Sequence, residues 1–110
     1  MPVDQDLSDL LFIAHTPLGC HVRVTRARWE LIITLKHPAM SGRHADVLAA
    51  LEQPLEIRQS RSDPDVYLFH HTERAGRWVC AVAKCIGAAG FLITAYPTDA
   101  IKEGGRIWPK

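Results

Sequence analysis

The sequence predicts an α+β fold in which an N-terminal β-hairpin and two short helices pack on a four-stranded antiparallel sheet. Hydrophobic residues recur at helical spacing between residues 26 and 53, whereas from residue 55 onward they alternate with a period of two. Short turns separate the later apolar segments, so consecutive strands are expected to pair in antiparallel fashion. Helices gathered early and strands gathered late favour two packed layers over a βαβ alternation.

The hairpin is predicted at the start of the chain. Residues 10–14 are apolar, residues 20–24 alternate, and the segment between them contains the turn formers Pro17 and Gly19. This pattern is typical of two strands joined by a tight turn.

Two helices follow the hairpin. Thr25 is the expected N-cap of a helix over residues 26–36, which ends because Pro38 disfavours helical geometry at the residue before it. A second helix is expected to begin with Ser41 or Gly42 as its cap and to end before Pro54. The predicted buried positions are Trp29, Ile32, Ile33, His44, Val47, Leu48 and Leu51.

Four strands and a tail complete the prediction. The strands are expected at residues 55–59, 66–71, 78–86 and 91–96. The tail, residues 97–110, ends in an apolar pair that caps the core if it docks. The chain has 110 residues, which is enough for one hydrophobic core and too few for two, so it is predicted to be a single domain.

Composition narrows the function classes. The net charge is +1, so no global field attracts nucleic acid, and any affinity for phosphate depends on how the charges are arranged. No apolar run approaches the roughly 20 residues of a membrane span. Asp4, Asp6 and Asp9 precede the first apolar run, where a secretory signal carries positive charge, so a cytoplasmic location is expected.

Cysteines and histidines do not predict a metal site. Cys80 and Cys85 are five residues apart on a strand and point to opposite faces, and His70 and His71 diverge in the same way. The ligand spacings typical of zinc are missing, so no metal and no other cofactor is predicted. The three cysteines are an odd number, and with Cys20 they are expected to be reduced, buried thiols.

Two polar residues stand out from the structural pattern. Lys84 lies in an apolar strand, where an ammonium is costly unless it reaches water at a sheet edge or a partner on an open face. His37 lies at the end of the first helix, where it either complements the helix dipole or serves as a proton-transfer group. Thr94 and Tyr96 are two residues apart on the last strand and therefore share a face.

Four further polar residues are candidates for substrate binding. Arg58 and Ser60 share one face of the first strand after the helices. Arg26 and Lys36 belong to a basic stripe around the first helix, for which a solvated helix face is the commoner explanation and phosphate binding the functional one.

The ordered series of these residues resembles the phage-associated branch of the Barnase–EndoU–colicin–RelE (BECR) superfamily of small ribonucleases. The resemblance covers roughly residues 20–108. The residues that carry the resemblance are Val24-Thr25, Trp29, Ile32 or Ile33, His37-Pro38, Pro54, Ile57, Ser60, Tyr67, Phe69, Val82, Lys84, Thr94-Ala95-Tyr96-Pro97, Ile101-Lys102, Gly104 and Ile107-Trp108. It implies a single BECR-like domain with an accessory hairpin (1–24), a helical part (25–53), an antiparallel sheet (55–96) and a tail (97–110).

The resemblance also implies an activity. It predicts a metal-independent endoribonuclease, a toxin of a toxin–antitoxin or phage conflict system, that cleaves RNA by attack of the 2′-hydroxyl on the adjacent phosphate. The predicted catalytic residues are His37, Lys84, Thr94 and Tyr96, and the predicted substrate-binding residues are Arg26, Lys36, Arg58 and Ser60. The expected partners are RNA (tRNA or mRNA) and a cognate antitoxin or immunity protein, with no membrane, and a homodimer is left open.

Two alternatives stay open at this point. The first is a non-catalytic module of the same fold that binds a protein partner, which the near-neutral charge favours because phosphate contacts normally call for a basic surface. The second is a small-molecule binder that uses an uncovered sheet face.

Overall fold

The computed structural model describes residues 9–101 and 104–109, so the predictions that concern Asp4, Asp6 and Lys102 lie outside the described residues. The strands in this part of the chain are β1 (Leu10–His15), β2 (His21–Thr25), β3 (Glu56–Gln59), β4 (Val66–Arg74), β5 (Arg77–Ile86), β6 (Ala89–Thr98) and β7 (Gly105–Trp108). Its helical segments are α1 (Arg26–Leu31), a π-helix (Ile32–Lys36), a 3-10 turn (Pro38–Met40) and α2 (His44–Glu52).

The strands form one seven-stranded mixed sheet in the order β1-β2-β6-β5-β4-β3-β7. Residues 21–23 of β2 run parallel to residues 89–91 of β6, and all other neighbouring strands are antiparallel. The α+β class is therefore correct, but the predicted four-stranded antiparallel sheet is wrong. The four predicted strands are only the central part of a wider sheet.

Both added edges have a physical reason. A sheet of four strands would expose unpaired backbone groups along β6 and β3. The hairpin β1–β2, expected to be an accessory element, covers one end of β6, and the tail supplies β7 along β3. In β7 the Ile107-Trp108 pair packs against the core as well, as a partly buried extension of it.

Both helices pack on one face of the sheet, which we call the inner face. Alternate residues of β5, among them Val79, Ala81 and Ala83, are fully buried there with Phe69 and Ile57 of the neighbouring strands. The helical side of this core is formed by Trp29, Ile32, Met40, Val47, Ala50 and Leu51. The opposite face, which we call the outer face, carries the residues between these positions, including Lys84, Thr94 and Tyr96.

The first helix departs from the prediction at its end. Thr25 caps α1 as expected, because its Oγ1 accepts the backbone N–H of Arg28 at 3.1 Å. The α-helix ends at Leu31, and the chain widens into the π-helix, in which the His37 N–H donates to the Ile32 carbonyl at 2.7 Å. Single π-turns of this kind frequently occur at functional sites.

The second helix starts later than predicted. Gly42 has φ +78°, a left-handed conformation that cannot continue a right-handed helix, so α2 begins only at His44. His44, expected on the buried face, is exposed and contacts the Trp29 ring edge-on at 6.2 Å. The longest helix among the described residues, α2, has nine residues, and none of these helices is long and apolar enough to cross a bilayer.

The cysteine prediction is wrong for two of the three residues. Cys20 and Cys85 form a disulfide whose partners are 65 residues apart in sequence, with Cα atoms 6.1 Å from each other. Cys80 is buried on the other face of β5 and takes no part in this bond. Because stable disulfides are uncommon in the cytosol, this bond does not favour the cytoplasmic location, which stays a prediction.

Candidate functional site on the outer face

Most of the predicted site residues share the outer face. Lys84 of β5, Thr94 and Tyr96 of β6, and Arg58 of β3 alternate with core residues on their strands, and the register places all four on this face. Ser60, directly after β3, continues the alternation from Arg58, and its N–H donates to the Val66 carbonyl at 2.9 Å. The helices do not cover this face, since their buried side chains pack on the inner face.

The closest group among the predicted residues is formed by His37, Tyr96 and Thr94. The chain leaving the π-helix runs along the part of β6 that β2 does not cover, and it brings the His37 ring against the Tyr96 ring, with centroids 5.3 Å apart. Both side chains are half-buried. Thr94 is two residues before Tyr96 on the same face, and its Oγ1 is buried without a hydrogen-bond partner in the described part of the chain.

Lys36 supports this arrangement from the neighbouring position. Its Nζ donates to the Ile93 carbonyl at 3.4 Å, on β6 between Leu92 and Thr94. A register shift leaves Ile93 without a partner on β5, which frees its carbonyl for this contact. Lys36 therefore ties the end of the π-helix to β6 next to the His37–Tyr96 pair.

Lys84 does not converge with this pair. Cys80 is the residue opposite Tyr96, and Lys84 lies four residues further along β5, which corresponds to about 13 Å. The Lys84 Nζ donates to Asp63 Oδ2 at 3.1 Å. The pKa of Asp63 is held below its ordinary value, first by the backbone N–H of Asp65 and then by the Lys84 ammonium.

The remaining predicted residues lie further away. Arg58 is in the same cross-strand row as Thr94 but three strands apart, about 14 Å. Its guanidinium pairs with Glu56 and donates to the Gly104 carbonyl at 3.1 Å, so it also anchors the chain that enters β7. The Ser60 hydroxyl contacts the hydroxyl of Ser62 at 3.2 Å. Arg26 is exposed at the start of α1, away from the His37 group.

A row of ionisable side chains leads to Tyr96 from across the sheet. The register aligns Glu56, His70, Cys80 and Tyr96 on four adjacent strands of the outer face. His70 is 2% exposed, its Nδ1 has no hydrogen-bond partner among the described residues, and burial lowers its pKa, with Glu56 opposing the shift. Sequence reasoning missed this row, because only the strand register reveals it.

A groove lies at the other end of the outer face. Arg23 of β2, Lys84 of β5 and Phe91 of β6, together with Ile86, Ala89 and Gly90, line a concavity of about 470 Å³. Phe91 is 47% exposed and, together with the exposed Ile86, gives the groove an apolar surface that faces solvent. Arg23 and Phe91 were not predicted as site residues, since the parallel pairing of β2 with β6 brings them together.

Within residues 9–101 and 104–109, no three His, Cys, Asp or Glu side chains are placed to share a metal ion.

Comparison of the chain with protein-family models, with curated proteins and with solved structures finds no match. Function is therefore inferred from the geometry of the outer face, together with the resemblance that the sequence suggests.

Proposed function

We propose that this protein is a metal-independent endoribonuclease that binds single-stranded RNA along β6 on the outer face and cleaves it beside the His37–Tyr96 pair. The observation that carries the proposal is the contact between these two half-buried rings at the part of β6 that β2 does not cover. The His37 imidazole and the Tyr96 phenol meet there at the end of a π-helix. Thr94, whose Oγ1 has no hydrogen-bond partner among the described residues, lies two residues before Tyr96 on the same face. The resemblance to BECR ribonucleases supports the same residues.

The reaction is an intramolecular displacement at phosphorus. His37 accepts the proton of the 2′-hydroxyl, whose oxygen forms a bond to the adjacent phosphorus. The bond from phosphorus to the 5′-oxygen breaks, and this leaving oxygen takes its proton from the Tyr96 hydroxyl. We assign the Thr94 hydroxyl to a non-bridging oxygen, where charge develops in the transition state, and this contact requires the buried Oγ1 to become accessible when RNA binds. The products are a 2′,3′-cyclic phosphate and a 5′-hydroxyl.

The cations act at a distance from the reacting phosphorus. The backbone of Lys84 lies about 13 Å from that of Tyr96 and its Nζ is paired with Asp63, so we do not assign Lys84 to the phosphate that His37 serves. We assign Lys84 to a neighbouring phosphate of the bound strand instead, where it fixes the register of the RNA. The ion pair with Asp63 is exchanged for the phosphate when the strand binds.

The test is a cleavage assay with purified protein and a fluorescent single-stranded RNA in the presence of a metal chelator. General acid–base catalysis typically contributes 10²- to 10⁴-fold, so His37→Gln and Tyr96→Phe are each expected to lower kcat by about that factor. His44→Gln is the matched control, because His44 is exposed on α2. Cleavage that His37→Gln leaves at the wild-type rate would refute the assignment.

A protein-interaction module is the second candidate. The exposed side chains Ile13, Ile86 and Phe91 lie on the outer face, and the net charge of +1 gives no general attraction to RNA. This candidate predicts no cleavage of any RNA. It also predicts that expression of the wild type and of His37→Gln affects cell growth equally, whereas the ribonuclease toxin arrests growth only with His37 intact.

A further inference from the structure

The groove at the β2 end of the outer face has the composition of a nucleotide site. Its exposed aromatic residue, Phe91, lies directly between two cationic positions in the strand register, Arg23 on β2 and Lys84 on β5. Aromatic side chains beside cations are the usual means by which proteins hold single-stranded nucleic acids, because every base has a face that stacks and every linkage carries a charge.

Two cationic side chains line the groove, and one of them, Lys84, is paired with a carboxylate. Arg23 and Lys84 both line the concavity, and Asp63 is the anionic partner of Lys84 at 3.1 Å. A phosphate that approaches Lys84 therefore competes with Asp63, whereas a phosphate at Arg23 lies on the far side of Phe91 from that ion pair. Arg23 is our candidate for the phosphate contact, because a guanidinium can bind a phosphate through two parallel N–H···O hydrogen bonds.

The floor of the groove is held in place covalently. Cys20 immediately precedes β2, and Cys85 lies between the lining residues Lys84 and Ile86, so the disulfide joins the two sides of the groove. Gly90 packs above it, and a Cβ atom there would lie 2.6 Å from the Cys20 sulfur. A site built on cross-linked strands loses less conformational entropy when it binds a ligand.

We propose that this groove is a nucleotide-binding subsite in which Phe91 stacks on a base and Arg23 holds the adjoining phosphate. The inference rests on the proposed function in that the nucleotide belongs to a single-stranded RNA whose reacting phosphate lies at His37–Tyr96. The subsite selects single strands, because a base within a duplex cannot reach the face of Phe91. It thus gives a structural reason for the single-stranded substrate of the proposed enzyme.

The test separates binding from cleavage. Adenosine 5′-monophosphate and a trideoxynucleotide, which lacks the 2′-hydroxyl and cannot be cleaved, are titrated into ¹⁵N-labelled protein. We expect resonances of Arg23 and Phe91 to shift. Phe91→Ala should weaken binding about 5- to 150-fold, the factor that corresponds to the loss of one stacked base. Phe91→Trp should retain binding, and Ile13→Ala, an exposed apolar residue of the same face outside the groove, is the matched control.

The phosphate contact has its own comparison. Arg23→Gln should weaken the binding of the monophosphate but not of adenosine, whereas Phe91→Ala should weaken both. Asp63→Asn removes the charge that pairs with Lys84 while keeping an oxygen for the Asp65 N–H, so it should leave monophosphate binding at Arg23 nearly unchanged and tighten it only if the phosphate binds at Lys84 instead. Melting curves verify that each variant is folded.

The outcomes distinguish the two proposals. Nucleotide binding that depends on Phe91, in a protein that cleaves no RNA, would retain the subsite and remove the ribonuclease. RNA cleavage with a KM that Phe91→Ala leaves unchanged would retain the ribonuclease and remove the subsite. The subsite is also overturned if Phe91→Ala and Ile13→Ala weaken nucleotide binding equally, which would indicate general hydrophobic adhesion.

Discussion

Removal of the Cys20–Cys85 disulfide should destabilise the protein strongly. The partners are 65 residues apart, and the chain-entropy model gives about 4 kcal/mol for a loop of this length, where native disulfides typically contribute 2–4 kcal/mol. This is a large part of the roughly 5–15 kcal/mol that stabilises a typical domain. The replacement should be Cys20→Ala with Cys85→Ala, because both sites are buried and alanine adds no polar group there.

The assay is urea unfolding with and without a reductant, followed by tryptophan fluorescence. The wild type should lose about 2–4 kcal/mol of unfolding free energy in reductant, and the double variant should show that loss already and not respond further. Cys80→Ala is the control, because Cys80 is equally buried but lies outside the bond, so this variant should keep its response to reductant. Three reactive thiols in the folded wild type, or unfolding midpoints that the reductant leaves unchanged, would refute the reasoning.

Two further predictions concern buried positions. Burial lowers the pKa of His70 in the folded protein below its ordinary value of 6.5. As the pH falls below about 6.5, the unfolded chain therefore binds more protons than the folded protein does. The unfolding free energy then decreases by at most about 1.4 kcal/mol per pH unit. His70→Gln should flatten this part of a melting-temperature profile, and a slope identical to wild type would contradict it. Gly90→Ala should cost about 1–3 kcal/mol, because the new Cβ lies 2.6 Å from the Cys20 sulfur and 2.8 Å from the Lys84 carbonyl oxygen. Gly105→Ala, with open space around its Cβ, is the matched control, and equal unfolding midpoints for the two variants would argue against the close packing at Gly90.

Local patterns in the sequence predicted the local elements well. The hairpin, the Thr25 cap and all four central strands are present, with ends that differ from the prediction by up to three residues. Each of these elements depends on residues that are close in sequence, such as the alternation along β5 or the turn formers between β1 and β2. The hydrophobic effect acts on such periodic patterns regardless of how the chain continues.

Long-range pairing could not be predicted in the same way. The contact of β2 with β6 joins residues 21–23 to residues 89–91, and nothing in either segment specifies its partner. The disulfide was missed for the same reason, since its cysteines are far apart in sequence and the total number of cysteines is odd. Because these two features form the groove, the sequence alone could not identify Phe91 and Arg23 as parts of one site.

The candidate catalytic group was predicted in part. The spacing along β6 places Thr94 and Tyr96 on one face, and the register confirms this. The contact of His37 with Tyr96 depends on the π-helix, in which one extra residue per turn changes the direction in which the chain leaves the helix. The periodicity of the sequence does not reveal this extra residue. Lys84, predicted as a catalytic residue together with His37, lies about 13 Å along β5 from the position opposite Tyr96, the ring that His37 contacts.

The most direct measurement is the dependence of RNA cleavage on a single 2′-hydroxyl. Once a cleavage site has been mapped, the same oligonucleotide is synthesised with 2′-deoxyribose at the nucleotide before that bond, and both are incubated with the wild-type protein in chelator. The account predicts that the ribose form yields a 2′,3′-cyclic phosphate, identified by mass spectrometry, and that the deoxy form stays intact at that bond. Equal cleavage of both, a product with a 5′-phosphate, or no cleavage of any single-stranded RNA would contradict it.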